Sequence, residues 1–329
     1  MTVRARLVLP LLAVVALALV PPLAPSLQIL MTLALCKGIA VLGVTVLLRA
    51  GQVSFGHALF FAVAAYAGAF LAATRFDDLA LLVVAGALVG ALTGLLVGLF
   101  VARYRGIFFG MLNLAFSMIF WSILEKFYHL TGGADGLRLP RPSVFGMQMG
   151  RGPFEDLLYY VVLALALATG WFVLRFLRSP VGQLYQCIKT NETRLEYLGV
   201  SPRLTLLKGY VLSAALCAVG GVLMAVAQGI VTPEYAYWVR SGEMVFIAVL
   251  GGAGSVPGAF AGAIAYEVVR SYASAFAADV WQLVLGAFLL AIILFAPGGL
   301  VGIYDGLADR LGRRRGRAAA EPAKRERRA

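Results

Sequence analysis

Long apolar runs decide what this chain can become. Stretches of roughly 18 or more mostly apolar residues recur along most of the sequence, each long enough as a helix to cross a hydrocarbon core of about 30 Å. The runs are continuous and rich in Leu, Ala and Gly rather than alternating, which argues against a transmembrane β-barrel. With 61% hydrophobic and 13% charged residues and a mean hydropathy of +0.88, the balance is that of an all-α polytopic membrane protein.

Candidate spans fall near 7–24, 27–48, 58–74, 79–101, 107–124, 157–177, 204–226, 257–273 and 280–296. Pro21-Pro22 and the lack of a clear A-x-A site argue that the first is a retained span rather than a signal peptide. Threaded with the N-terminus inside, twenty of the 28 Lys and Arg residues fall on the inner side and seven outside, with Lys37 left within a span. That asymmetry satisfies the positive-inside rule and expects a multi-pass membrane protein with both termini cytoplasmic. Nine spans alone would strand the basic tail outside. The apolar run Met244–Leu250, ending in Gly251-Gly252-Ala253-Gly254, is the only candidate for a further crossing. The expectation is therefore about nine long transmembrane helices plus one short broken crossing. The transmembrane domain covers 1–308, with a charged cytoplasmic loop at 179–208, and a basic tail follows at 309–329. The tail's nine Lys and Arg from Arg310 onward mark the cytoplasmic side of a membrane rather than a nucleic-acid arm.

Two glycine-rich breaks interrupt the apolar pattern. GQVSFGH contributes Gly51, Gln52, Ser54, Gly56 and His57, and GGAGSVPG contributes Gly251, Gly252 and Gly254. Both put non-helical backbone at or within membrane depth, where only protein or a water-filled path can satisfy it. Gln52, Ser54 and His57 can hydrogen-bond the groups a broken helix leaves unpaired. Two readings follow: a capped hairpin turn, or a gate hinge.

Lys37, about ten residues into its span, is a costly placement that marks either a translocation path meeting a substrate carboxylate or an ion pair with Glu243 or Glu267. Asn113 and Ser117, one helical turn apart, either line the same path or bond between helices. Gly86, Gly90, Gly94 and Gly98 stack on one helix face and admit a close neighbour, in this chain or in another.

Several chemistries find no footing. Cys36, Cys187 and Cys217 lack paired spacing and read as reduced, and two histidines far apart make no metal site, so no metal or cofactor is expected. There is no GxxxxGK[ST] phosphate loop, so any ATP is hydrolysed by another polypeptide and the chain is not itself an enzyme. No nucleophile–base pair supports a membrane-embedded enzyme. An ion-coupled secondary carrier would have to use Glu243, Glu267 or His57.

GQVSFGHALFFAVAAYAGAF closely resembles the signature of the LivM-type permeases of branched-chain amino acid ABC importers. RGIFFGMLNLAFS at 105–117, LTGGADGL at 130–137, SPVGQLYQCIKTNETRLEYLGVSPRLTLLKGYVLSAALCAVGGVLMA at 179–225, VLGGAGSVPGAFAGA at 249–263 and FAPGGLVGI at 295–303 follow in the family's order. The resemblance implies a second permease of the LivH kind, two cytoplasmic ABC ATPase subunits and a periplasmic substrate-binding protein. It implies no nucleic-acid partner. It implies a substrate that is a branched-chain amino acid or, as in other relatives, urea, a short amide or another small metabolite. It also implies a coupling helix in the 179–202 loop, with Glu192 and Gly199 at the family's Glu and Gly positions. The family's small Ala-Ala pair is replaced here by Arg194 and Leu195. Independently, Asn191 suits a helix N-cap with Glu192 in the first turn, and Gly199 with Pro202 suits its end.

Overall fold

The computed structural model describes residues 12–303 apart from Arg75, Phe145, residues 277–279 and Pro297. α1 (Pro25–Arg49) opens on a proline at its first turn and ends with Arg49 beside its C-terminal carbonyls, both favourable placements. α2 (His57–Ala72), α3 (Leu79–Val101) and α4 (Gly106–Lys126) follow. Next come α5 (Arg151–Arg178), the short α6 (Pro180–Thr190) and α7 (Glu192–Tyr197), and α8 (Pro202–Gln228). α9 (Trp238–Gly251), α10 (Val256–Phe276) and α11 (Trp281–Phe295) complete the described chain. β1 (Leu137–Arg138) pairs antiparallel with β2 (Ile230–Val231), Leu137 opposite Val231. Side-chain caps set several starts: Asp78 accepts from Ala80 N, Ser179 from Gly182 N and Ser201 from Leu204 N.

α8 is the axis of the bundle, packed against α1, α2 and α3. The glycine ladder explains one of these contacts. A Cβ on Gly86 would collide with Val222, on Gly90 with Ala218 and on Gly94 with Ala214, and one on Gly98 would lie 2.8 Å from Leu207 and Tyr210. The ladder's partner is therefore α8 of the same chain. Without side chains on that face, α3 approaches α8 closely, and its opposite face, with Leu88, Leu92 and Leu96 exposed, is left apolar and outward.

Five helices (α1, α3, α4, α5 and α8) are long and apolar enough to cross a membrane, and six if α9 and α10, bent by 115°, form one broken span. These five match the expected spans at 27–48, 79–101, 107–124, 157–177 and 204–226. The expected spans at 58–74 and 280–296 form shorter helices of 16 and 15 residues, and the count of about nine long spans is not reached among the described residues. At about 1.5 Å per residue α2 reaches only about 24 Å, but 12 of its 16 residues are buried in protein, so it need not match the lipid. The first expected span lies partly outside the described residues. The break at Met244–Leu250 also differs from expectation, because its helix begins earlier, at Trp238. Arg240, Ser241 and Glu243 hide the helix from a hydropathy reading, and the bundle accommodates them by pairing and burial.

Helix ends sort into two faces. At one, a Cβ on Gly51 would lie 3.0 Å from Lys189, one on Gly254 would meet Arg49, and Arg105 pairs with Glu192. At the other, Gln28 at the start of α1 bonds Asp156 at the start of α5 (2.9 Å), and Ser143 bonds Asp77 (3.1 Å).

Candidate functional site

The break between α1 and α2 is held by a continuous hydrogen-bond chain. His57 is fully buried, with Nδ1 2.8 Å from Ser54 Oγ and Nε2 2.5 Å from Ser213 Oγ on α8. Ser213 gives its one hydroxyl proton to the Gly43 carbonyl on α1 (2.6 Å). It must then accept from His57, which makes Nε2 the protonated nitrogen. Nδ1 of a neutral ring in turn accepts from Ser54. Ser241 of α9 accepts from Ala58 N (2.8 Å), so three helices, α1, α8 and α9, converge on the first turn of α2. Gln52 reaches across to accept from Gly106 N at the start of α4 (3.0 Å).

The two glycines of GQVSFGH have different physical reasons. Gly51 holds φ +71, the left-handed region that ends α1 without a Cβ clash. At Gly56 the constraint is space, since a Cβ there would sit on the Asn113 carbonyl oxygen. The second break is built likewise. Gly252 and Gly254 have positive φ, and Gly251 lies directly against the Gly258 backbone where α9 turns into α10.

Asn113 and Ser117 are buried and bonded within the chain. Asn113 accepts from the Tyr210 hydroxyl and donates to Phe109 O (2.7 Å), and Ser117 donates to Ala236 O (2.7 Å). Asn113 thus ties α4 to α8, and Ser117 ties α4 to the segment just before α9.

Lys37 sits in a buried charge cluster formed by α1, α9 and α10. Its Nζ lies 2.8 Å from Glu267 and 3.9 Å from Glu243, over the Tyr266 ring at 4.9 Å. Arg240 pairs with Glu243 (3.2 Å), Arg270 with Glu267 (3.4 Å), and the Tyr266 hydroxyl donates to Glu243. Arg240, which fell between the expected spans, thus belongs to a helix instead. A cavity of about 20 Å³ opens against the cluster.

Residues 26–293 match the family model described as branched-chain amino acid transport system / permease component. The chain belongs to this family. It is 29% identical over 275 residues to the high-affinity branched-chain amino acid transport system permease protein LivM of Escherichia coli (strain K12), covering 76% of this chain and 64% of the relative. Similarity extends to the permease protein LivH of Salmonella typhimurium, 27% over 190 residues, covering 54% of this chain and 60% of that one. It extends also to the permease protein BraD of Pseudomonas aeruginosa, 31% over 173 residues, covering 50% and 54%. The chain spans just under two thirds of the length of the LivM relative. No solved structure matches.

In this permease-family chain the Glu192 and Gly199 positions bound a short helix, α7. Asn191 caps it by accepting from Arg194 N (3.3 Å), Glu192 occupies its first turn, and Gly199 closes it at φ +74. Glu192 is tied at 2.5 Å to Arg105 in the turn between α3 and α4. Leu195, where the family has a small residue, is buried and anchors α7, while Arg194 beside it faces solvent. α6 is fixed by Tyr185, whose hydroxyl donates to Thr205 O (2.9 Å), and burial pushes this phenol well above its ordinary range. Arg105, Ser213, Tyr210, Tyr197 and Leu198 escaped the sequence reading. The first three act through partners far away in sequence, and the last two stand out only by being apolar and exposed.

Proposed function

We propose that this chain is a membrane-spanning permease subunit of an ATP-driven importer of branched-chain amino acids. Its membership of the permease family across residues 26–293 carries this reading. The partners are a LivH-like second permease, two cytoplasmic ABC ATPase subunits and a periplasmic substrate-binding protein, in the bacterial inner membrane with both termini cytoplasmic. The permease domain runs over 1–308; the basic tail at 309–329 lies outside the described residues.

Coupling to the ATPase falls to α7. Tyr197 (87% exposed) and Leu198 (76% exposed) stand at its end, on the face where Arg49, Arg105 and Lys189 gather, and offer an apolar contact to a cytoplasmic partner. The reading as an ion-coupled carrier loses support because Glu243, Glu267 and His57 are each engaged by partners within the chain. The test is ATP-dependent uptake of radiolabelled leucine into proteoliposomes holding the co-purified complex and its binding protein. Uptake that needs both ATP and the binding protein is expected. A complex that accumulates leucine without ATP, or carries only a different solute, overturns the reading.

A further inference from the structure

We infer that the charge cluster around Lys37 is a binding site for the zwitterionic end of an α-amino acid, held closed in this structure. The inference deepens the importer reading above and rests on it.

Three cations (Lys37, Arg240 and Arg270) face two carboxylates (Glu243 and Glu267), leaving one positive charge in excess. Gathering five charges within a helical bundle, with Lys37 and Glu267 buried and Arg240, Glu243 and Arg270 partly exposed, is expensive for a scaffold whose packing could be supplied by apolar residues. The central contact is also poorly made. Lys37 Nζ and Glu267 Oε2 lie 2.8 Å apart, yet neither atom makes an aligned hydrogen bond, although Lys37 is only 5% and Glu267 5% exposed. An ammonium has three donors and a carboxylate about four acceptor sites, so both groups keep hydrogen-bonding capacity for a ligand. Both line the cavity.

A zwitterion suits this pair in a way that a simple ion does not. As its carboxylate meets Lys37 and its ammonium meets Glu267, each protein charge exchanges one opposite partner for another. No charge is left unpaired in low dielectric on entry. The extra positive charge favours the carboxylate end. Beyond the charges and the hydrogen-bonded pair Tyr235 and Gln228, the wall is apolar, with Leu33, Phe61, Met224, Met244 and Ile247, which fits an aliphatic side chain. The cavity of about 20 Å³ has room for a single water and no amino acid. Binding therefore requires α9 and α10 to part from α1. Gln228 of α8 stands at the entrance: it lines both this cavity and a larger one of about 430 Å³ between the starts of α1 and α5. The larger cavity is of small-molecule size.

The test uses the complete complex in proteoliposomes. Lys37→Met with Glu267→Met removes both charges of the central pair together, keeping Arg240 on Glu243 and leaving only the partly exposed Arg270 without its carboxylate. Expected is a loss of leucine uptake of about tenfold or more, the scale of a lost charge-assisted contact, at unchanged complex yield and with ATPase activity still stimulated by loaded binding protein. Uptake within about twofold of wild type would show a purely structural pair and overturn the inference while leaving the importer reading intact. Should the double variant fail to assemble, Lys37→Arg and Glu267→Asp keep the charges but move them. There a raised half-saturation for transport supports the site, and an unchanged one overturns it. A wild-type complex that transports another solute and not leucine overturns both readings.

Discussion

His57 shows at the scale of one residue how a loop in a membrane bundle is held. Its two ring nitrogens join Ser54 in its own loop to Ser213 on α8, and through Ser213 to the Gly43 carbonyl on α1. Replacement by leucine would leave the Ser54 hydroxyl without its acceptor and Ser213 without its donor, in a place water does not reach. We expect His57→Leu to destabilise the permease by about 1–3 kcal/mol, read as a lower unfolding midpoint of the purified complex. A hinge role predicts the contrary pattern of a normal midpoint with lost uptake. The polar role of Gln52, Ser54 and His57 was legible in the sequence, because broken helices need such partners. Ser213 was not, because a serine in a long apolar helix carries no local mark of the residue it will meet 156 positions away. The same holds for the space around Gly56: the sequence leaves a turn and a hinge open there and carries no mark of the α4 backbone that lies against it.

At the scale of elements, α7 is a helix of six residues whose ends are fixed and whose tip is bare. Asn191 and Gly199 set its length, Leu195 roots it, and Tyr197 and Leu198 protrude. An exposed pair contributes little to folding but much to docking when a partner covers it. Tyr197→Ala with Leu198→Ala should therefore leave the unfolding midpoint unchanged. It should also reduce co-purification of the ATPase subunits at least tenfold, a loss of about 1.4 kcal/mol or more of binding. Full retention of the ATPases would remove α7 from the interface. The limits of α7 were legible from its cap and its terminal glycine, both local signals. α9 was legible only in its C-terminal half. Arg240 and Glu243 look like a loop to a hydropathy reading, and only the pairing with Lys37, Tyr266 and each other makes them a helix in the bundle.

At the scale of the molecule, the two faces of the bundle settle which loops must share a compartment. Arg49, Arg105, Lys189 and Glu192 come together at one end, although they lie in three separate stretches of sequence. Gln28, Asp77, Ser143 and Asp156 lie at the opposite ends of the same helices. The first end gathers basic residues and the second holds two aspartates, so the positive-inside rule predicts that the first faces the cytoplasm. α5 makes the strongest ruler. Its 28 residues run about 42 Å, more than the hydrocarbon core, from Arg151, Glu155 and Asp156 to Arg175 and Arg178. A cysteine at Asn191 and one at Asp156 must therefore report opposite sides whatever the total number of crossings. Cys187 is exposed and would confuse the readout, so the background needs it removed; Cys36 and Cys217 are buried. In intact cells, Asp156→Cys should react with a membrane-impermeant maleimide, and Asn191→Cys should react only once a permeant reagent is used or the cells are opened. Reaction of both from outside would break the two-faced arrangement, and a clean reversal would keep the bundle but turn it over. In that second outcome α7 would face away from any cytoplasmic ATPase, and the importer reading would fall with the orientation.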